Sequence, residues 1–195
     1  MILMLLAISA FLTGSIPVGL IVARSKGIDI RTKGSGNIGA TNILRNIGKK
    51  EALITLIGDI SKGVIPVLVA WKFFPDDTRV GIIGLSAIAG HDFSIFLKFR
   101  GGKGVATSLG VLLAYSPFAA LATAAIWIIV LVISKISSLS AILAFLLLPL
   151  TIFIIDNTEG KFLISLIIAA LIIIKHKDNI KRLINGEESR MVRKS

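Results

Sequence analysis

The chain has no cysteine, only two histidines, and eleven acidic residues among 195. Without cysteine there is no disulfide and no thiolate nucleophile. Two histidines and few clustered carboxylates do not make a zinc or calcium site, so neither a metal nor a cofactor is expected. Acidic residues are outnumbered by 22 Lys and Arg, which leaves a formal net charge of +11. That balance suits anionic lipid headgroups or phosphorylated substrates. Nucleic acid is the competing partner for a basic chain. Here the basic residues are divided among short loops rather than gathered on one domain, so no nucleic acid is expected.

Apolar residues are what the chain has in excess. It is 54% hydrophobic with a mean hydropathy of +0.88, which marks an integral membrane protein. The length allows one helical bundle and no separate soluble domain. The expected fold is all-α, a polytopic bundle with residues 1–195 as a single domain.

Residues 1–23 are apolar and lack a basic leading region or a small-residue cleavage site, so a retained span is expected rather than a signal peptide. Pro17 and Gly19 are candidate kinks in it. The second span, 52–71, is interrupted by Asp59 and Lys62, which lie i,i+3 on one helix face and are expected to pair. The third runs from about 80 to 99. Residues 104–115 form a fourth apolar run, about 18 Å at helical rise and short for a crossing. Further runs cover 118–134, 139–155 and 162–174, and a basic tail follows from Lys175. If the short run crosses, there are seven spans with the amino terminus outside and the carboxyl terminus cytoplasmic. The inside then carries seven basic residues in 24–50, three in 98–103, Lys135, and seven from 175 onward, eighteen in all. Lys72, Arg79 and Lys161 fall outside. The positive-inside rule selects this arrangement, and with it a multi-pass membrane protein.

The stretch from Gly34 to Arg45, GSGNIGATNILR, organises the chain. Gly34, Gly36 and Gly39 let backbone N–H groups turn inward, where they can cradle phosphate or carboxylate oxygens. Ser35, Asn37, Thr41 and Asn42 add hydrogen-bonding groups, and Arg45 adds a forked cation suited to phosphate. The glycines also spell the dinucleotide fingerprint, but that needs a preceding strand, and an apolar helix precedes this one. Gly102-Lys103 resembles the end of a P-loop, yet Leu97 and Gly104 stand where its first glycine and its Ser or Thr belong. Two more clusters fall on the same predicted side: FRGGKGVATS, from Phe99 to Ser108, and KHKDNIKRLINGEE, from Lys175 to Glu188. The joint SKISSLS, Ser134 to Ser140, lies with them. Together they are expected to close around a substrate with two anionic groups, above apolar surface for a lipid tail.

These clusters, in this order, resemble the bacterial acyl-phosphate:glycerol-3-phosphate acyltransferase family over essentially the whole chain. The likeness rests on Ser35, Gly36, Asn37, Gly39, Thr41, Asn42 and Arg45; on Gly101, Gly102, Lys103, Val105, Ala106 and Thr107; and on His176, Asn179, Arg182, Gly186 and Glu187. His91 with Phe93 and the serines ending at Ser140 also fit. Ile38 and Ser94 depart from it, at positions where many members carry proline. The resemblance implies transfer of a long-chain acyl group from acyl phosphate to the 1-hydroxyl of glycerol 3-phosphate, giving lysophosphatidic acid and phosphate. The donor's reactivity makes docking of a soluble acyl-phosphate-producing enzyme on the basic face reasonable.

An acyl phosphate already carries a good leaving group, so positioning and charge stabilisation matter more than a strong nucleophile. Two phosphates must meet, and cations must screen their repulsion. Ser35, Asn37 and Lys103 are assigned to the acyl-phosphate end, and Arg45, His176 and Asn179 to glycerol 3-phosphate. Gly34, Gly36, Gly39, Thr41, Asn42, Gly101, Gly102, Thr107, Ser137, Ser138, Arg182 and Glu187 complete the expected substrate-binding set. His176 and the substrate phosphate are alternative acceptors for the hydroxyl proton. Blander roles stand beside these: Ser138 as a helix cap, His91 as a buried orienting residue, Glu187 as a tie from the tail to a basic residue. A small anion or phosphate-ester transporter is the alternative function, and it would want polar clusters on both faces.

Overall fold

The computed structural model describes residues 1–191; Val192, Arg193, Lys194 and Ser195, the end of the predicted basic tail, lie outside the described residues. Those described are helical, with no strand among them. They divide into two compact units, Met1–Tyr115 and the part from Ser116 onward. Four helical segments are long and apolar enough to cross a membrane: Ile2–Arg24, Lys49–Trp71, Asp77–Leu97 and Pro117–Ser134. A bent pair, Ser137–Leu146 with Leu148–Ile155, makes a fifth if it counts as one span.

The first unit holds α1 (Ile2–Ser15), α2 (Val18–Arg24), α3 (Ala40–Asn46), α4 (Lys49–Trp71), α5 (Asp77–Asp92) and α6 (Val105–Tyr115). The first predicted span breaks at Ile16-Pro17, because proline has no N–H to continue the helix ladder. Glycines bring the helices into backbone contact. A Cβ at Gly14 would stand 2.1 Å from the Ala87 carbonyl oxygen, and one at Gly90 equally close to that of Phe11, so α1 and α5 lock together. The same device joins α4 to α6: Gly63 faces the Thr107 carbonyl at 2.2 Å and Gly110 that of Ile60 at 2.1 Å, measured to the added Cβ. Small residues at crossings are how helices approach closely where lipid supplies no hydrophobic drive. Ser94, one of the two departures from the family pattern, donates its hydroxyl to the Ser15 carbonyl at 2.5 Å and so satisfies the end of α1.

The second unit holds α7 (Pro117–Ser134), α8 (Ser137–Leu146), α9 (Leu148–Ile155), α10 (Glu159–Lys175) and α11 (Lys177–Ile184). Ile133, Phe118 and Ile154 are 78%, 72% and 71% exposed, the outward apolar surface of helices that face lipid. The run expected as one helix over 139–155 bends by 42° at Leu147, where Pro149 in the first turn of α9 cannot bond back to the preceding turn. At its far end Asp156 accepts a hydrogen bond from Ser116 and pairs with Lys161 at 3.3 Å.

The tail folds back within this unit. Gly186, at φ 73°, ends α11, with its N–H bonded to the Leu183 carbonyl and that of Glu187 to the Arg182 carbonyl. This is the two-bond glycine cap that reverses a chain after a helix. It delivers Glu188, whose Oε1 accepts from Ser138 Oγ at 2.8 Å and Asn179 Nδ2 at 2.7 Å, while Oε2 accepts from Arg182 Nε at 2.6 Å. Met191 N–H then bonds the Lys135 carbonyl at 2.7 Å. Ser138 does not cap α8: the helix already runs from Ser137, so the cap position is Ile136, without a side-chain bond, and the Ser138 hydroxyl is turned to Glu188. Burial raises the Glu188 carboxyl, but the hydrogen bonds from Ser138, Arg182 and Asn179 and the charge of Arg182 outweigh it and hold the group below its ordinary 4.5. A carboxylate held low in the folded state stabilises fully above its unfolded value and loses that contribution as pH falls through the folded one. The melting temperature of purified protein should therefore exceed that of Glu188→Gln at pH about 7, with the gap closing below pH about 4.5. Thermal unfolding of both proteins across that range checks this, and a gap independent of pH contradicts it.

Candidate active site

The loop from 33 to 39 is built on positive-φ glycines and a buried amide. Gly34 and Gly36 take φ 55° and 69°, the left-handed region that a side chain disfavours. Asn42, 2% exposed, donates from Nδ2 to the carbonyls of Lys33 at 3.0 Å and Asn37 at 2.8 Å. Its Oδ1 accepts from the Ser35 N–H at 3.2 Å and Asn46 Nδ2 at 2.9 Å. The structure thus gives Asn42 the work of shaping the loop, with its amide spent on the loop's own backbone. Below the loop lies an apolar cluster of Leu20, Ala23, Ile30, Ile38, Ile43 and Ala52. Ile38, the other departure from the family pattern, therefore anchors the loop by burial. Ser35 is exposed; Asn37, Thr41 and Arg45 are half-buried, the last two on α3.

The second loop reaches the same cluster, because Leu97 packs against it. Lys98 and Phe99 follow in left-handed conformation at φ 51° and 62°. The Gly102 N–H bonds the His91 carbonyl at 3.0 Å. Lys103 is half-buried, and α6 starts two residues on. Thr107, in the first turn of α6, is fully buried, and its hydroxyl has no hydrogen-bond partner among the described residues. The open N–H groups of a helix start favour negative charge beside them. The first two predicted clusters therefore meet within the first unit, sharing one apolar foundation.

The third cluster belongs to the second unit. His176 sits between α10 and α11, 3% exposed, with Nδ1 2.7 Å from the Ile172 carbonyl. A carbonyl only accepts, so Nδ1 carries the proton and Nε2 is the basic nitrogen of the neutral ring. Asn179 is 4% exposed and lies one turn along α11. Glu188 holds Asn179, Arg182 and Ser138 together. Glu187 is exposed, and the tie expected of it is made by Glu188 instead. Two adjacent glutamates after a glycine look alike in sequence; the cap at Gly186 decides which one turns inward.

The profile of a family described as glycerol-3-phosphate acyltransferase matches residues 4–186. The glycerol-3-phosphate acyltransferase of Trichlorobacter lovleyi is 48% identical over 181 residues, 93% of each chain. That of Geotalea daltonii is 46% identical over 94% of this chain and 95% of its own. Among solved structures, PlsY, an integral membrane glycerol 3-phosphate acyltransferase, superposes in its glycerol 3-phosphate form with TM-score 0.94 at 40% identity, covering 97% of this chain and 96% of that one. Its lysophosphatidic acid form gives TM-score 0.92 at 39% identity, over 97% and 95%. With the apolar helices and glycine loops described above, these likenesses run the length of both units, and the chain belongs to the glycerol-3-phosphate acyltransferase family of integral membrane proteins.

Proposed function

We propose that this protein acylates the 1-hydroxyl of glycerol 3-phosphate with the acyl group of a long-chain acyl phosphate, the first acylation step of phospholipid synthesis. One observation carries the reading. The solved relative exists in a glycerol 3-phosphate form and a lysophosphatidic acid form, and these two molecules differ by one acyl group. The acceptor oxygen attacks the acyl carbonyl carbon, the carbon–oxygen bond to the donor phosphate breaks, and inorganic phosphate leaves with the electron pair. Ser35, Asn37, Lys103 and Thr107, with N–H groups from Gly34, Gly36, Gly39, Gly101 and Gly102, hold the donor phosphate. Thr41, Arg45, His176 and Asn179 hold the acceptor. Asn42 shapes the first loop, and Ser137, Ser138, Arg182 and Glu187 complete the third cluster with Glu188. His176 Nε2 takes the hydroxyl proton. Two substrate phosphates at one centre repel, and Lys103 and Arg45 offset that repulsion. Docking of the soluble enzyme that makes the donor belongs to the same reading. It draws on exposed Arg24, Lys26, Arg31, Lys33, Lys49 and Lys50 around the first loop.

The finer topology is also part of the proposal: seven spans in the bacterial inner membrane, amino terminus outside, carboxyl terminus and active site cytoplasmic. The short α6 gains support from its backbone contact with α4, and α10, at 17 residues, is about 25 Å long. A single domain over 1–195 is supported by the family profile, which crosses from one unit into the other.

Purified protein in detergent should release inorganic phosphate from acyl phosphate only when glycerol 3-phosphate is also present. Uptake of a phosphate ester into vesicles without acyl transfer would instead indicate the transporter. His176→Ala should lose about 100-fold or more in kcat, the usual worth of general-base catalysis. If kcat persists and only the KM for glycerol 3-phosphate rises, a substrate phosphate is the base. Because the chain has no cysteine, Lys33→Cys and Lys161→Cys report topology directly. A membrane-impermeant maleimide should label the second in intact cells, and the first only after permeabilisation.

A further inference from the structure

The reaction just described leaves unused a group of ionisable side chains inside the first unit. Asp59 and Lys62 on α4 are 2% and 5% exposed, and His91 and Asp92 at the end of α5 are 5% and 0%. Lys62 Nζ stands 2.9 Å from Asp59 Oδ1 and donates to the Ile16 carbonyl at 3.0 Å, at the break between α1 and α2. His91 Nδ1 faces the same Asp59 oxygen at 3.7 Å. A buried ion pair is a weak source of stability, since desolvation cancels most of its attraction, and charge at membrane depth calls for a functional account.

The other side of His91 supplies one. A Cβ added to Gly102 would stand 2.1 Å from His91 Nε2, and one at Gly101 would stand 2.0 Å from the His91 carbonyl oxygen. Gly104, at φ 73°, would place its Cβ 2.9 Å from Asp92 Oδ1. The loop that carries Lys103 is thus moulded onto the ring of one residue and the carboxylate of the next. The ring in turn is backed by the Asp59–Lys62 pair, which reaches from the first helix break to the second loop.

We propose that Asp59, Lys62 and His91 are positioning residues: the ion pair fixes the His91 ring, the ring fixes the shape of 101–104, and that shape aims Lys103 at a substrate phosphate. The inference rests on Lys103 holding one of the two phosphates in the proposed reaction. A misplaced cation loses much of its hold on an anion, so the network acts through binding of that phosphate, chiefly through Lys103.

Steady-state kinetics of purified protein with both substrates varied test it. Lys103→Met identifies which KM the loop governs. His91→Asn should raise that same KM about tenfold, leaving kcat and the other KM within about twofold. The double variant His91→Asn/Lys103→Met should be no worse than Lys103→Met within about threefold, because residues acting through one group are not additive. Losses that multiply, or fall on kcat or the other KM, overturn the proposal. A size swap gives an independent reading: Gly102→Ala should raise the KM, and His91→Ala added to it should recover about fivefold or more, since the ring is what the methyl meets. No recovery also overturns it. Should the His91 variants fail to fold, the uncharged pair Asp59→Asn/Lys62→Met, close to native volume, must raise the same KM, and an unchanged KM refutes the network. If wild-type protein shows no phosphate release with both substrates, the reaction assigned is wrong; if it does and these variants behave otherwise, only this inference falls.

Discussion

Backbone-to-backbone contact between α4 and α6 is the constraint on which the first unit depends. Gly63 and Gly110 leave no room for a side chain between the helices, since each would drive a Cβ to about 2 Å of a carbonyl oxygen. Eleven residues of α6 can therefore sit against a 23-residue neighbour without matching its length. The start of α6 is set by that contact, so the glycine loop before it ends beside α5 and comes to rest on His91 and Asp92. Gly14 against Ala87 and Gly90 against Phe11 perform the same service for α1 and α5.

The second unit uses a different kind of order. Its apolar helices give it bulk, but the arrangement of His176, Asn179 and Arg182 comes from polar bonds. One carboxylate accepts from three side chains of two helices, and a helix-terminal carbonyl sets the tautomer of the histidine. Both are interactions in which charge or direction, rather than area, selects one geometry.

Much of this was legible from residue order. Apolar runs gave the helices, the i,i+3 spacing gave the Asp59–Lys62 pair, and the glycines at 34, 36, 101, 102 and 104 gave both loops. What could not be read depends on partners distant in the chain. Asn42 looked like an anion ligand because an amide's donors carry no label; its bonds to 33 and 37 exist only once the loop is closed. Ser138 looked like a cap because its position before an apolar run is a cap signal, and a glutamate fifty residues later claimed its hydroxyl. The bend at Leu147 was hidden because the run around Pro149 stays uniformly apolar. His91 was read as an orienting residue, but the sequence could not say that its ring is the surface against which Gly102 rests.

The glycine cap after α11 has a consequence for how the molecule is made. Residue 188 is synthesised after every apolar helix of the chain, yet it is the anchor that Asn179 and Arg182 share. A chain cut short before it would keep all of these greasy segments and lose the bonds that hold Ser138, Asn179 and Arg182 together.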